Sequence, residues 1–150
     1  MTACIRPATK RDQDEIVRLV RSERLNPHGL HWPNFIVAES EGRIVGAVQL
    51  RPHCGGSHEL GSLVVEVPSR GRDISSRLIE QRLAGRTGRI LLITNRKFAD
   101  RYRRWGFGHI EPAAAPFGVW KNYWLGSLVG TVVSFFRRRE FKGMAVLERM

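Results

Sequence analysis

Only two cysteines, Cys4 and Cys54, occur in 150 residues. That excludes a disulfide framework and a metal site built on four thiolates. Each reads as a small buried thiol suited to a reducing compartment, so the expected location is the cytoplasm. No apolar run reaches the roughly 20 residues that a membrane-spanning helix needs. The opening residues, Met1 to Pro7, bring charge before any long apolar stretch, unlike a secretory leader. There is no internal repeat and no low-complexity tract. His28, His31, His53 and His58 fall in loop-like segments without metal-ligand spacing, so no metal is expected.

What the chain does have is a core and a charge. Hydrophobic residues make up 42%, enough for one domain of this length and against wholesale disorder. Formal net charge is +11, from 25 Lys and Arg against 14 Asp and Glu. Such a surface attracts polyanions: nucleic acid, anionic lipid or a phosphorylated cofactor. Most of the cations are arginines, whose planar fork holds phosphate through two parallel hydrogen bonds. They are scattered rather than banked, which equally fits a solvated surface. The aromatics are not interleaved with them along any strand, so the nucleic-acid signal is weak.

Apolar periodicity and turn residues give the order of elements. Ala3–Arg6 is a short strand. Thr9 and Asp12 form a capping-box pattern before an amphipathic helix carrying Ile16, Val17, Leu19 and Val20. Phe35–Glu39 and Ile44–Leu50 flank Ser40-Glu41-Gly42-Arg43, a hairpin signal. Glu59–Val67 is a third strand, broken by Pro68. A helix with Ile74, Leu78, Ile79 and Leu83 on one face follows, ending at Gly85–Gly88. Ile90–Ile93 reads as a central strand, Lys97–Trp105 as a short helix stopped by Gly106, and Phe107–Ile110 as a strand. Pro112–Pro116 is a linker, Trp124–Phe136 a helix, and Met144–Leu147 a last strand. The expected fold is α/β: one domain over 1–150 with a central mixed, mostly antiparallel sheet flanked by helices. Residues 117–150 form its C-terminal extension, a helix plus the last strand.

The segment with chemical content runs from Val65 through Arg70-Gly71-Arg72-Asp73-Ile74-Ser75-Ser76. A buried strand enters a turn and a helix begins there. Helix N-termini carry unpaired N–H groups and the positive end of the dipole, and they bind phosphate well. Gly71 lets the backbone bend, and Arg70 and Arg72 place cations at the mouth. Physics alone makes this an anion site, or an ordinary strand-to-helix turn with solvated arginines.

In its context the segment resembles the central motif of the GNAT superfamily of N-acetyltransferases, Gln/Arg-x-x-Gly-x-Gly/Ala, which wraps the pyrophosphate of acetyl-CoA. Arg70-Gly71-Arg72-Asp73-Ile74-Ser75 is the match. Ile5-Arg6-Pro7-Ala8-Thr9 with Asp12 is similar to the family's opening strand and helix. Phe35–Glu39 through Gly42–Gly46 is similar to its second and third strands. Asn95, Tyr102 and Gly106-Phe107 are similar to its Asn…Phe-Tyr-x-x-x-Gly-Phe segment. Asp73 stands where the family has Gly, and Ser75 at the Gly/Ala position. Arg101 replaces a common aromatic. The expectation for Asp73 is that its carboxylate turns outward to cap the helix or to pair with Arg70, Arg72 or Arg77.

The resemblance implies acetyl-CoA as donor and a primary amine of a small molecule or peptide as acceptor. It implies cofactor contacts from Val64, Val65, Arg70, Gly71, Arg72, Asp73, Ser75, Ser76 and Asn95. Glu59, eleven residues before Arg70, matches the position of a catalytic glutamate, with His53 or His58 as alternative bases. Tyr102 matches the tyrosine that protonates the departing sulfur. A relative that binds CoA or a partner without turnover is the alternative, and Asp73 is the feature that raises it.

The C-terminal helix carries Leu125, Leu128, Val129, Val132, Val133 and Phe136 on one stripe, and Arg137–Arg139 closes it. Its apolar run rises about 21 Å, too short to cross a bilayer. Three uses fit it. It can wall the acceptor site. It can make peripheral membrane contact through 120–139. It can pair in a homodimer through Gly126-x-x-x-Gly130.

Overall fold

The computed structural model describes residues 2–137 and 143–150, with side chains given through Leu128 and again from Gly143. Val129, Val132, Val133, Phe136, the Gly130 half of the small-residue pair and the run Arg137–Arg139 lie outside the described side chains. Among the described residues the fold is α/β, with seven mostly antiparallel strands and helices packed on them. The chain divides into two compact units, Met1–Arg51 with Leu60–Arg86, and Pro52–Glu59 with Thr87–Met150.

The first unit holds β1 (Cys4–Pro7), α1 (Gln13–Ser22), β2 (Phe35–Ser40), β3 (Arg43–Pro52), most of β4 (His58–Val65) and α2 (Ile74–Leu83), its strands in the order β1-β2-β3-β4. The β2–β3 hairpin closes through Glu41 and Gly42, both left-handed at φ 52° and 75°. That is the twist-matched two-residue turn the Gly predicts. Ile16, Leu19 and Val20 of α1 pack with Phe35, Val37, Ile44, Ala47 and Val64. The Asp12 carboxylate accepts the Thr9 N–H at 2.7 Å, within the expected capping box of Thr9 and Asp12. It also takes the Arg6 guanidinium at 2.8 Å, while Arg6 reaches Glu39 at 2.6 Å. Arg6, followed by the Thr9 bond, holds Asp12 at about 2, well below its ordinary 3.8, against the opposing pull of burial. Gly46 on β3 is where α2 crosses. A Cβ there would meet the Val64 carbonyl at 3.1 Å and Leu78 at 3.2 Å.

The second unit holds β5 (Ile90–Asn95), β6 (Gly108–Ile110), α3 (Phe117–Arg137) and β7 (Met144–Arg149), its strands in the order β5-β7-β6. Pairing is antiparallel, from Ile90↔Arg149 to Asn95↔Met144 and from Gly108↔Glu148 to Ile110↔Val146. Val119 of α3 is fully buried on Leu91 and Val146. A 3₁₀ helix, Arg96–Trp105, leaves β5 and stops at Gly106 with φ 83°.

Two expectations change. The last helix starts at Phe117 rather than Trp124. Its first turn closes on the Pro116 carbonyl, which accepts the N–H groups of Val119 and Trp120 at 2.9 Å each. Both cysteines are exposed rather than buried. Cys4 opens β1, and Cys54 starts a turn with Gly55 and Gly56 at φ 79° and 78°, which presents no face to a core.

Candidate functional site

In the first unit, β4 leads into the Arg70–Asp73 turn and α2. Val64 is 3% exposed and Val65 9%. Gly71 is left-handed at φ 77° and has open space where a Cβ would stand. Asp73 is also left-handed, at φ 58° and ψ 13°. This is the conformation Gly accepts freely, and Asp and Asn tolerate it better than other side chains. The departure from the family motif therefore falls where the backbone calls for Gly. The first helical hydrogen bond runs from Arg77 N–H to Asp73 C=O at 3.1 Å. The N–H groups of Ile74, Ser75 and Ser76 consequently have no intrahelical partner, the arrangement that suits an anion.

The arginines differ from the expectation. Arg70 folds back, donating from Nε to the Val65 carbonyl at 3.0 Å and pairing with Glu23 at 2.7 Å. It braces the turn and gives part of its charge to α1. Arg77 donates to the Ala3 carbonyl at 3.0 Å. The exposed Asp73 makes no side-chain bond to the helix end. Its accommodation is through the backbone, not through a cap. Arg72 is exposed at the turn.

In the second unit, Glu59 is 7% exposed although it stands second in its strand. Its Oε2 lies 2.7 Å from His53 Nε2 and accepts from Asn122 Nδ2 at 3.3 Å. Two donors on one oxygen fix the carboxylate plane. α3 supplies Asn122 and, one turn before it, Gly118. A Cβ at Gly118 would fall 2.7 Å from His53 Nδ1. Gly118 is thus the residue that lets α3 close on the histidine. Nothing local in the sequence marks Asn122 or Gly118, because they meet Glu59 and His53 only through the packing of α3. His58, the other candidate base, instead donates its backbone N–H to the Arg89 carbonyl at 3.0 Å.

Tyr102 lies on the 3₁₀ helix, its ring against Trp105 and Phe107 at 5.8 and 6.2 Å between centroids. Burial pushes its phenol above the ordinary 10.0, while a hydrogen bond with Thr94 and the Arg101 charge pull the other way. The phenol therefore stays protonated at neutral pH. The Asn95 side chain accepts the Lys97 N–H at 3.1 Å and caps the 3₁₀ helix.

One strand feature escaped the sequence reading. Ser62, in the middle of β4, is left-handed at φ 51°. Its hydroxyl meets the fully buried Gln49 amide at 2.7 Å. A left-handed residue inside a strand departs from the regular pleat. Here it lies between Glu59 and Val64. The signal was Gly61-Ser62, a pair poorly suited to a regular strand.

The family and the fold have known counterparts. The acetyltransferase (GNAT) domain family matches residues 31–109. No curated protein matches the chain by sequence. Rv2747 from Mycobacterium tuberculosis, solved with CoA and a second ligand, is 20% identical with a TM-score of 0.71, covering 98% of each chain. A GNAT-family acetyltransferase from Staphylococcus aureus Mu50 is 15% identical with a TM-score of 0.65, again over 98% of each chain. N-acetylglutamate synthase from Neisseria gonorrhoeae, complexed with coenzyme A and N-acetyl-glutamate, is 17% identical with a TM-score of 0.69. It is matched over 99% of this chain, which spans 35% of that enzyme.

Proposed function

This chain belongs to the acetyltransferase (GNAT) domain family, and we propose that it is an N-acetyltransferase that takes acetyl-CoA as donor and acetylates a primary amine of a small molecule or peptide by direct attack. The observation that carries this reading is the Glu59 cluster. A buried carboxylate held by two donors at a strand start contributes little to folding that an apolar residue would not, and such groups concentrate at sites of proton chemistry.

Turnover requires a neutral amine. An alkylammonium holds its proton to about pH 10, so a base must remove it. Glu59 takes that proton, directly or through water, with His53 and Asn122 holding the carboxylate in one orientation. The amine nitrogen attacks the thioester carbonyl carbon, the C–N bond forms and the C–S bond breaks. The departing thiolate takes a proton from the Tyr102 phenol, which burial keeps protonated. The N–H groups of Ile74, Ser75 and Ser76 and the Gly71 turn hold the pyrophosphate, with Arg72 adding charge. Backbone groups of Val64 and Val65 hold the pantetheine arm, with Asn95 as a further cofactor contact. No metal is needed for this sequence of steps. The amino-acid ligand of the Neisseria synthase complex supports a small-molecule acceptor. Two exposed free cysteines fit a reducing, cytoplasmic setting.

Asp73 supports a second reading, a CoA-binding relative without turnover. Its charge stands at the turn while Arg70 is engaged by Glu23. Coupled assay of free thiol release separates the two. Acetyl-CoA consumption that depends on an added amine, and falls in Glu59→Gln, supports the enzyme. Binding without consumption across a broad amine panel supports the alternative.

A further inference from the structure

We propose that the exposed face of α3, with the groove beside it, docks on an anionic phospholipid surface. This inference is independent of the catalytic roles above. Among the described residues, eight large apolar side chains are exposed, and five of them stand on α3: Phe117, Trp120, Trp124, Leu125 and Leu128. Phe117, Trp120, Trp124 and Leu128 follow at spacings of three, four and four, which puts them on one stripe. Phe117 is 74% exposed, Trp124 55% and Leu128 64%.

The other face of α3 is already occupied. Val119 is buried on Leu91 and Val146, Gly118 faces His53, and Asn122 bonds Glu59. The exposed stripe stands apart from these contacts. Its aromatics stack on one another instead, with Phe117–Trp120 at 5.9 Å and Trp120–Trp124 at 6.4 Å. Trp concentrates at the membrane–water boundary, where an apolar body and one N–H donor are both satisfied.

The groove beside the stripe has a volume of about 680 Å³, and its walls include Arg96, His109, Glu111, Trp120, Tyr123 and Trp124. Arg96 and His109 offer donors to a headgroup phosphate. Glu111 is the one carboxylate there and suits the hydroxyls of a glycerol headgroup. The aromatic wall adjoins the acyl region of a lipid whose phosphate sits at Arg96.

Charge selects lipid over a second copy of this chain. Each copy carries +11, and the exposed Lys121 lies beside the stripe, so a stripe-to-stripe dimer brings like charge together. The helix Arg96–Trp105 adds exposed Arg96, Lys97, Arg101, Arg103 and Arg104 against Asp100. An anionic leaflet attracts the same charges. Among the described residues, no helix is long and apolar enough to cross a membrane, so contact is in the interface plane.

Co-sedimentation of the full chain with vesicles tests the proposal, using pure phosphatidylcholine and a mixture with 30% phosphatidylglycerol. The chain pellets with the anionic vesicles, is released by high salt, and its Trp emission shifts to the blue. Phe117→Ser/Trp124→Ser/Leu128→Ser loses roughly tenfold or more in partitioning. Arg96→Gln/His109→Gln keeps the stripe and weakens only the preference for phosphatidylglycerol. Phe117 and Trp124 contact the rings of Trp120 and Tyr123 on α3 itself, and matched thermal melts check that both variants fold. Equal pelleting of wild type and the triple variant overturns the proposal, as does no pelleting with anionic vesicles. A concentration-dependent dimer that the triple variant abolishes also overturns it, because a second copy then covers the stripe.

Discussion

The imidazole Nε2 of His53 lies 2.7 Å from the Glu59 carboxylate, six residues along a chain that makes a glycine-rich turn between them. This pair, not Glu59 alone, is the polar centre that α3 closes on. His53→Gln keeps a donor in reach of Glu59, whereas His53→Ala removes it. With Glu59 as the base and His53 as its positioning partner, Glu59→Gln lowers kcat by about 100-fold or more. His53→Ala lowers it by roughly tenfold, and His53→Gln recovers most of that loss. Steady-state kinetics at saturating acetyl-CoA reads all three. Loss in His53→Gln equal to that in His53→Ala would mean that the imidazole carries the proton itself.

Gly118→Ala tests how closely α3 must approach. The added methyl would stand 2.7 Å from His53 Nδ1, so the helix or the ring must shift. The expected cost is about 1–3 kcal/mol in thermal unfolding, with a fall in kcat as Asn122 leaves Glu59. Acetyl-CoA affinity stays near wild type. A variant of unchanged stability and rate would show that α3 gives way without strain.

Much of the fold was legible because its signals are local. Gly42 marked the hairpin, and the Ile74–Leu83 periodicity marked α2. The site was legible in part, for the same reason. Gly71 and the helix start are neighbours in sequence, and Glu59 lies on the same strand. Asn122 lies 63 residues from Glu59 and carries no sign of the carboxylate it meets. The start of α3 was missed because Pro112–Pro116 reads as a linker, yet Pro116 supplies the carbonyl that the first helical turn closes on. Burial of cysteine was expected from residue type alone, and the turn at Cys54 outweighed it.

Asp73 makes opposing contributions that two substitutions separate. Asp73→Gly relieves a left-handed backbone but adds freedom to the unfolded chain. Each effect is about 1 kcal/mol, so stability changes little. Removing the charge tightens acetyl-CoA binding about fivefold. Asp73→Ala removes the charge while keeping the backbone strain. Its affinity gain therefore comes with a lower melting temperature. Calorimetry and thermal melts on the pair resolve backbone from charge. Weaker binding in both variants would mean that the carboxylate itself contacts the cofactor.

Acid stability follows from Asp12. Its folded value of about 2 lies below the ordinary 3.8, so the Arg6–Asp12 pair contributes stability above about pH 4. That contribution is lost as pH falls toward 2. It is worth on the order of 1–2 kcal/mol. Asp12→Asn lowers stability at pH 7 and flattens the acid limb over that window. A variant whose acid limb parallels the wild type would remove Asp12 as its cause.

Tyr102 sets the alkaline side. Because burial raises its phenol above 10.0, transfer retains its acid beyond the pH at which an ordinary tyrosine ionises. Tyr102→Phe lowers kcat by roughly tenfold to 100-fold with little change in acceptor KM. An unchanged kcat would assign sulfur protonation to water.

Titration of acetyl-CoA into the wild-type chain by calorimetry, repeated with Ser75→Glu, tests the cofactor site most directly. Micromolar binding by the wild type, weakened at least about tenfold when Ser75→Glu puts a negative charge at the α2 N-terminus, is the predicted result. Absence of binding in both the wild type and Asp73→Gly would contradict it.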